Sequence, residues 1–167
     1  MDIFILRHGI AVEREEWDSG RDAARPLTPE GEAQLRVSCA AMKRLGLRFD
    51  LILSSPYERA SRTAMIVAEE LGLKKQLKFS DELKSDGNPG KLIREVAEWK
   101  PQPADLLLVG HEPYLGELIS VLLTGRAKMA IDLKKGGLCR LKVETLDHDR
   151  CASLVWLLTP KQMALMR

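Results

Sequence analysis

The chain carries almost no net charge: 26 Lys and Arg stand against 24 Asp and Glu, leaving +2. A nucleic-acid footprint needs a strong basic excess on one face, so that partner class is excluded, and any functional arginine acts locally. No apolar run is long enough to cross a bilayer. The first residues lack the basic segment and apolar stretch of a signal peptide, so the expected location is the cytoplasm. Cysteine is sparse. Cys39, Cys139 and Cys151 lack metal-ligand spacing, and an odd count suits a reducing compartment. They read as small core thiols, with Cys139 facing Cys151 across a hairpin as the alternative. There is no internal repeat and no low-complexity stretch. What is present is ordinary for a soluble globular protein, 45% apolar and 30% charged, and 167 residues predict a single domain, 1–167.

DIFILR (2–7) reads as a strand ending at Arg7. The polar stretch from Glu13 to Pro26, with Gly20, reads as loop or short helical turn. Thr28 caps a helix with Pro29 at its first position, Glu30 and Glu32 in its first turn and Gly46 as its stop. FDLILSS (49–55) is a second strand, and residues 57–71 are a helix ended by Gly72. A short strand at 76–79 leads into the turn-rich SDELKSDGNPG; residues 90–99 predict a helix and ADLLLVG (104–110) another buried strand. Pro113 opens a helix to about Leu123. LCRLKVE and ASLVWLL then form a hairpin through DHDR, whose His148 reads as exposed and idle. Alternating strands and helices, with continuous apolar runs in the strands, predict an α/β fold. It has three layers: a mostly parallel central sheet, helices on both faces and one antiparallel edge.

In such sheets, sites form outside the carboxyl ends of the strands. Arg7 and His8 fall there, as do Ser54 and Ser55, and Gly110 and His111. Each is bland alone: a snorkelling arginine, a backbone-bonded histidine, a turn glycine. Together they are not. Arg59 lies in the first turn of a helix that starts at a strand's carboxyl end, beside free N–H groups. Arg7 comes from the neighbouring strand, and Arg25 from a loop able to fold over. Positive donors converging without a matching carboxylate cluster imply an anion, and phosphate fits bidentate arginines best. The same charge repels a divalent cation, and no ligand set surrounds the histidines, so neither metal nor cofactor is expected. It also keeps His8 neutral and nucleophilic.

LRHGIA, RPLTPEG, SSPYERASRTA and VGHEP, in that order across residues 5–113, resemble the histidine phosphatase (phosphoglycerate mutase-like) superfamily. The short chain and its RPLT element are most similar to the SixA-type phosphohistidine phosphatases. The resemblance implies the phosphoglycerate mutase-like fold and a metal-independent phosphatase working through a phosphorylated His8. Arg7 and Arg59 would clamp the phosphate, Arg25 would be a further ligand, and His111 would donate to a phosphoryl oxygen. Gly9 would let the backbone turn close to the phosphate.

Many superfamily members carry a glutamate general acid after the third strand. Here that loop offers Glu82 and Asp86; Glu82 reads equally as acid and as loop cap. A weak acid handicaps alkyl phosphates more than phosphohistidine, whose P–N bond is labile. Short connections at 80–89 and 124–137 suggest a shallow site open to a side chain of another protein. The expected substrate is a histidine-phosphorylated signalling or phosphotransfer protein, with inorganic phosphate as product. The alternatives are a small-molecule phosphomonoesterase and a non-catalytic phosphate-binding module.

Overall fold

The computed structural model describes residues 1–17, 21–146 and 150–166. The readings made of Gly20 and His148 lie outside them. Six strands form one sheet: β1 (Asp2–Arg7), β2 (Leu51–Ser54), β3 (Leu77–Phe79), β4 (Asp105–Gly110), β5 (Leu138–Val143) and β6 (Ala152–Leu158), in the order β3-β2-β4-β1-β5-β6. The first four in that order pair in parallel; β5 runs antiparallel to β1, and β6 to β5. The expected α/β sheet with an antiparallel edge is present.

Side chains alternate across β1, and both faces are dry. Phe4 and Leu6 pack with Leu35, Met42 and Ile66 under α1 (Pro29–Arg44) and α2 (Glu58–Leu71). Ile3 and Ile5 pack with Leu92, Leu108 and Leu118 under α3 (Pro89–Glu98) and α4 (Tyr114–Thr124). This double burial explains why the strands are apolar at consecutive positions. Local signals set the helix ends. The Thr28 hydroxyl accepts the Gly31 amide at 3.0 Å, and Gly72 closes α2 at φ 72°, a left-handed conformation that costs glycine little.

A fifth helix, α5 (Pro160–Ala164), packs against α1 where the sequence reading assigned nothing. Its start is a capping box between Thr159 and Gln162. The three cysteines are free. Cys139 pairs with Leu157 while Cys151 precedes the first paired residue of β6, so the two do not face each other across the hairpin. Among the described residues no helix is long and apolar enough to cross a membrane.

Candidate active site

Parallel pairing brings the carboxyl ends of β1, β2 and β4 to one edge, and Arg7 stands opposite Gly110 in register. The next residue, His8, is tied to that frame by its amide, which donates to the Gly110 carbonyl at 3.0 Å. From the other side, the Gly136 amide donates to the Arg7 and His8 carbonyls. The His8 ring lies opposite the His111 ring, with centroids 5.2 Å apart. The two histidines are 5% and 1% exposed. The site is therefore more enclosed than its short loops suggest, because a turn carrying Asp22 folds over it.

The tautomer of His8 follows from its partner. Its Nδ1 lies 2.8 Å from the Gly9 carbonyl, which can only accept, so Nδ1 carries the proton and Nε2 presents a lone pair. The Arg59 Nε–H donates to that Nε2 at 3.3 Å. Burial, then the His111 ring and the Arg59 and Arg7 charges, hold the imidazolium form of His8 far from favour. His111 is pushed down to about 3, first by burial and then by Arg59. Both rings are neutral near pH 7.

Arg59, expected over this edge, is there and 4% exposed. Its fork is already engaged: Nη1 donates to the Asp22 carbonyl at 2.8 Å and Nη2 to the Asp22 carboxylate at 3.0 Å. Arg25 reaches the same carboxylate at 3.1 Å and donates to the Val12 carbonyl at 2.9 Å. The arginines converge without a carboxylate cluster, but one carboxylate, Asp22, stands among them. Asp22 supplies one negative charge, because two guanidiniums this close need a counter-charge when no anion is bound. Burial alone would raise the Asp22 pKa, but Arg59 and Arg25 outweigh it and hold it low. Tyr57 completes this wall, its ring 5.2 Å from that of His111 and 5.6 Å from the Arg59 guanidinium.

Arg7 donates from Nη1 to the Leu133 carbonyl at 2.9 Å, while its buried Nε has no partner among the described residues. The buried Nδ1 of His111 is likewise without a partner. Its Nε2 lies 2.9 Å from Ser55 Oγ, a fully buried hydroxyl that the sequence reading treated only as a strand end. The outer side of Arg7 lines a groove of about 480 Å³ that also carries Lys134, Lys135 and Lys161.

Gly9 and Glu82 are placed by local contacts. Gly9 does not adopt a left-handed turn, and its amide donates to Thr63 Oγ1 at 3.1 Å. A Cβ added there would meet Leu35, whose Cδ1 would lie 2.8 Å away and would have to shift. Glu82 accepts the Asn88 amide at 3.3 Å and stands 3.9 Å from Lys91, closing its own loop. The hydrogen bonds and ring contacts of His8 and His111 among the described residues do not include Asp86. Among the described residues no group of three or more His, Cys, Asp or Glu is placed to hold a metal ion.

The profile of the histidine phosphatase superfamily (branch 1) matches residues 3–85. An uncharacterised protein of Picosynechococcus sp. is 38% identical over 144 residues, 85% of each chain. The human mitochondrial serine/threonine-protein phosphatase PGAM5 is 32% identical over 101 residues, 60% of this chain and 32% of that protein, so the likeness covers about a third of PGAM5. The structure of the protein histidine phosphatase SixA complexed with tungstate superimposes with a TM-score of 0.81 at 24% identity, covering 96% of this chain and 98% of that one. The chain belongs to the histidine phosphatase superfamily and has the phosphoglycerate mutase-like fold.

Proposed function

We propose that this protein is a phosphohistidine phosphatase that removes phosphoryl groups from a histidine-phosphorylated protein through a covalent intermediate on His8. The observation that carries the reading is the pairing of a neutral His8, its Nε2 lone pair turned to Arg59, with two buried nitrogens, Arg7 Nε and His111 Nδ1, that have no partner among the described residues. Buried donors without acceptors are costly, and a tetrahedral oxyanion in front of His8 would satisfy both. Arg59 would turn its fork from Asp22 to that anion. Arg25, on the same carboxylate, would follow as a further ligand.

The chemistry balances without an external acid. The His8 Nε2 lone pair forms a bond to phosphorus as the bond from phosphorus to the substrate imidazole breaks. His8 keeps its Nδ1 proton on the Gly9 carbonyl, so the intermediate is a phosphoimidazolium. The leaving imidazole departs neutral when its distal nitrogen is protonated. Water then adds to phosphorus, the bond to His8 breaks, and dihydrogen phosphate leaves. The arginines and His111 stabilise charge on the phosphoryl oxygens throughout, the function a metal serves in other phosphoryl-transfer sites. An alkoxide leaving group would need a proton donor, and Glu82 is engaged in its loop. This favours phosphohistidine over sugar phosphates.

The groove that Arg7 shares with Lys134, Lys135 and Lys161 offers basic side chains beside the site, which supports a protein substrate. The three free cysteines suit a cytoplasmic setting. The likeness to SixA in fold agrees with the reading. The deciding experiment compares initial rates on a ³²P-labelled histidine-phosphotransfer protein with rates on a panel of sugar phosphates, in the presence of chelator. Preference for the protein and label trapped on His8 after an alkaline detergent quench, which preserves the P–N bond, are expected. Faster turnover of a sugar phosphate would favour a small-molecule phosphomonoesterase, and binding without release of phosphate would make the site a binding module.

A further inference from the structure

We infer that Ser55 is a positioning residue that fixes His111 as an Nδ1–H donor, so that this ring offers a hydrogen bond to the phosphoryl group and never a proton. The inference rests on the phosphoryl-transfer reading above and deepens it. The Ser55 hydroxyl is fully buried and has two neighbours of different kind. The Tyr57 amide, which can only donate, lies 3.3 Å from Ser55 Oγ. His111 Nε2 lies 2.9 Å from the same oxygen. Tyr57 fills one of the two acceptor positions on Oγ; the arrangement that also uses the hydroxyl proton gives it to His111 Nε2 and places the imidazole proton on Nδ1.

Counting unsatisfied groups gives the same result. With the proton on Nδ1, one buried group, that N–H, lacks a protein partner. With the proton on Nε2, the Nδ1 lone pair and the serine hydroxyl proton would both lack one. The first arrangement leaves fewer buried polar groups unpaired. It also turns a donor toward the anion site instead of a lone pair that would repel it.

The arrangement limits what His111 can do. A neutral imidazole that gives up its N–H must regain a proton at the other nitrogen, and here that nitrogen faces a hydroxyl whose remaining contact is the Tyr57 N–H. Among the described residues no acceptor–donor chain continues beyond Ser55 to resupply it. His111 therefore stabilises charge on phosphoryl oxygen and leaves proton supply to the substrate, which selects leaving groups that depart already protonated. Ser55 does this without touching the substrate: it lies behind His111, and its backbone is held in the sheet by its amide bond to the Val109 carbonyl at 2.9 Å.

Two-bond ¹H–¹⁵N correlation spectra of the ¹⁵N-histidine-labelled protein at neutral pH report the tautomer directly, with His111→Gln assigning the signal. The wild type is expected to show His111 as the Nδ1–H form, and Ser55→Ala a substantial Nε2–H fraction. On p-nitrophenyl phosphate, Ser55→Ala is expected to lower kcat on the order of tenfold with KM within about twofold, as loss of an orienting partner does. An Nε2–H signal in the wild type would overturn the inference. So would Ser55→Ala that keeps both the Nδ1–H signal and full kcat. The spectra need no substrate, so they decide the tautomer even if the chain proves unable to hydrolyse phosphohistidine.

Discussion

The two ends of the sheet treat charge in opposite ways. At the end where β1 begins, carboxylates are partnered: Asp2 bonds Arg140 at 2.9 Å and Lys142 at 3.1 Å, and the Asp50 carboxylate accepts the Ala104 and Asp105 amides. That side also holds the most spacious cavity described, about 820 Å³ between β2, β3 and α3, lined by Leu53, Phe79, Trp99 and Pro101 among others. At the end where β1 finishes, His8 and His111 are buried, two arginines share one carboxylate, and two buried donors have no acceptor among the described residues. Room alone is a poor guide to chemistry. Unmatched donors around a neutral nucleophile are a better one, because folding leaves such groups unpaired only at a cost that something else must offset.

The largest expected effect tests that contrast at its centre. His8→Asn should abolish turnover and covalent labelling while circular dichroism and urea midpoint stay near those of the wild type, since the side chain ends a strand at the sheet edge. Residual turnover above roughly a thousandth of wild type would remove His8 as nucleophile. Arg59→Lys comes next. A lysine keeps the charge but loses both the fork and the Nε–H that faces His8, so kcat/KM should fall on the order of 10²-fold. A Lys variant within tenfold of wild type would mean that the fork geometry is dispensable.

Much of this end was legible in the sequence, for a physical reason. Consecutive βα units force parallel strands, and parallel strands place residues that follow them, His8, Ser55 and His111, along one edge. Thr28 with Pro29, and Gly46 and Gly72, marked helix ends through capping chemistry that acts within a few residues. The Asp22 contact was not legible. It joins residues 37 positions apart through a loop whose composition says nothing about where it folds. Ser55 was visible only as the end of a strand, because a serine's hydrogen bonds are set by whatever tertiary structure brings within 3 Å. Gly9 was read as a turn for a ligand; that Leu35, from across the fold, is what a Cβ there would meet was not legible, because it depends on tertiary packing. α5 could have been found: Thr159-Pro160-Lys161-Gln162 is a capping box with proline at the first helical position.

Buried neutral histidines also make the active end the acid-sensitive one. The unfolded chain protonates His111 below its ordinary value of 6.5, whereas the folded chain resists down to about 3. Between those values the unfolded state binds more protons, so stability must fall as pH falls, by up to roughly 1.4 kcal/mol per unit for each such ring. In urea titrations, His111→Gln should lose less stability than wild type between pH 6 and pH 4. Equal slopes for the two proteins would show that the ring already titrates in the fold. A smaller effect is expected of Asp22→Asn. It removes the charge that competes for Arg59 while keeping a side chain of the same size, so inorganic phosphate should inhibit several-fold more tightly. Weaker inhibition would instead make Asp22 a residue that holds Arg59 in place for the substrate.

The smallest effect belongs to the opposite end, where the comparison is most easily broken. If the cavity between β2, β3 and α3 took part in substrate recognition, trimming its exposed wall would change kcat/KM. Phe79 is half exposed at the end of an edge strand, and its ring contributes little to the core. Phe79→Ala should therefore cost well under the 3–5 kcal/mol of a buried phenylalanine and keep the fold. The cavity's lining residues lie apart from His8, Arg59 and His111, so kcat/KM on both p-nitrophenyl phosphate and a phosphohistidine protein should stay within about twofold. A drop of tenfold or more on the protein substrate alone, with the small substrate unchanged, would make this cavity part of a docking surface. The end with partnered carboxylates would then share in function, and the division drawn between the two ends would fail.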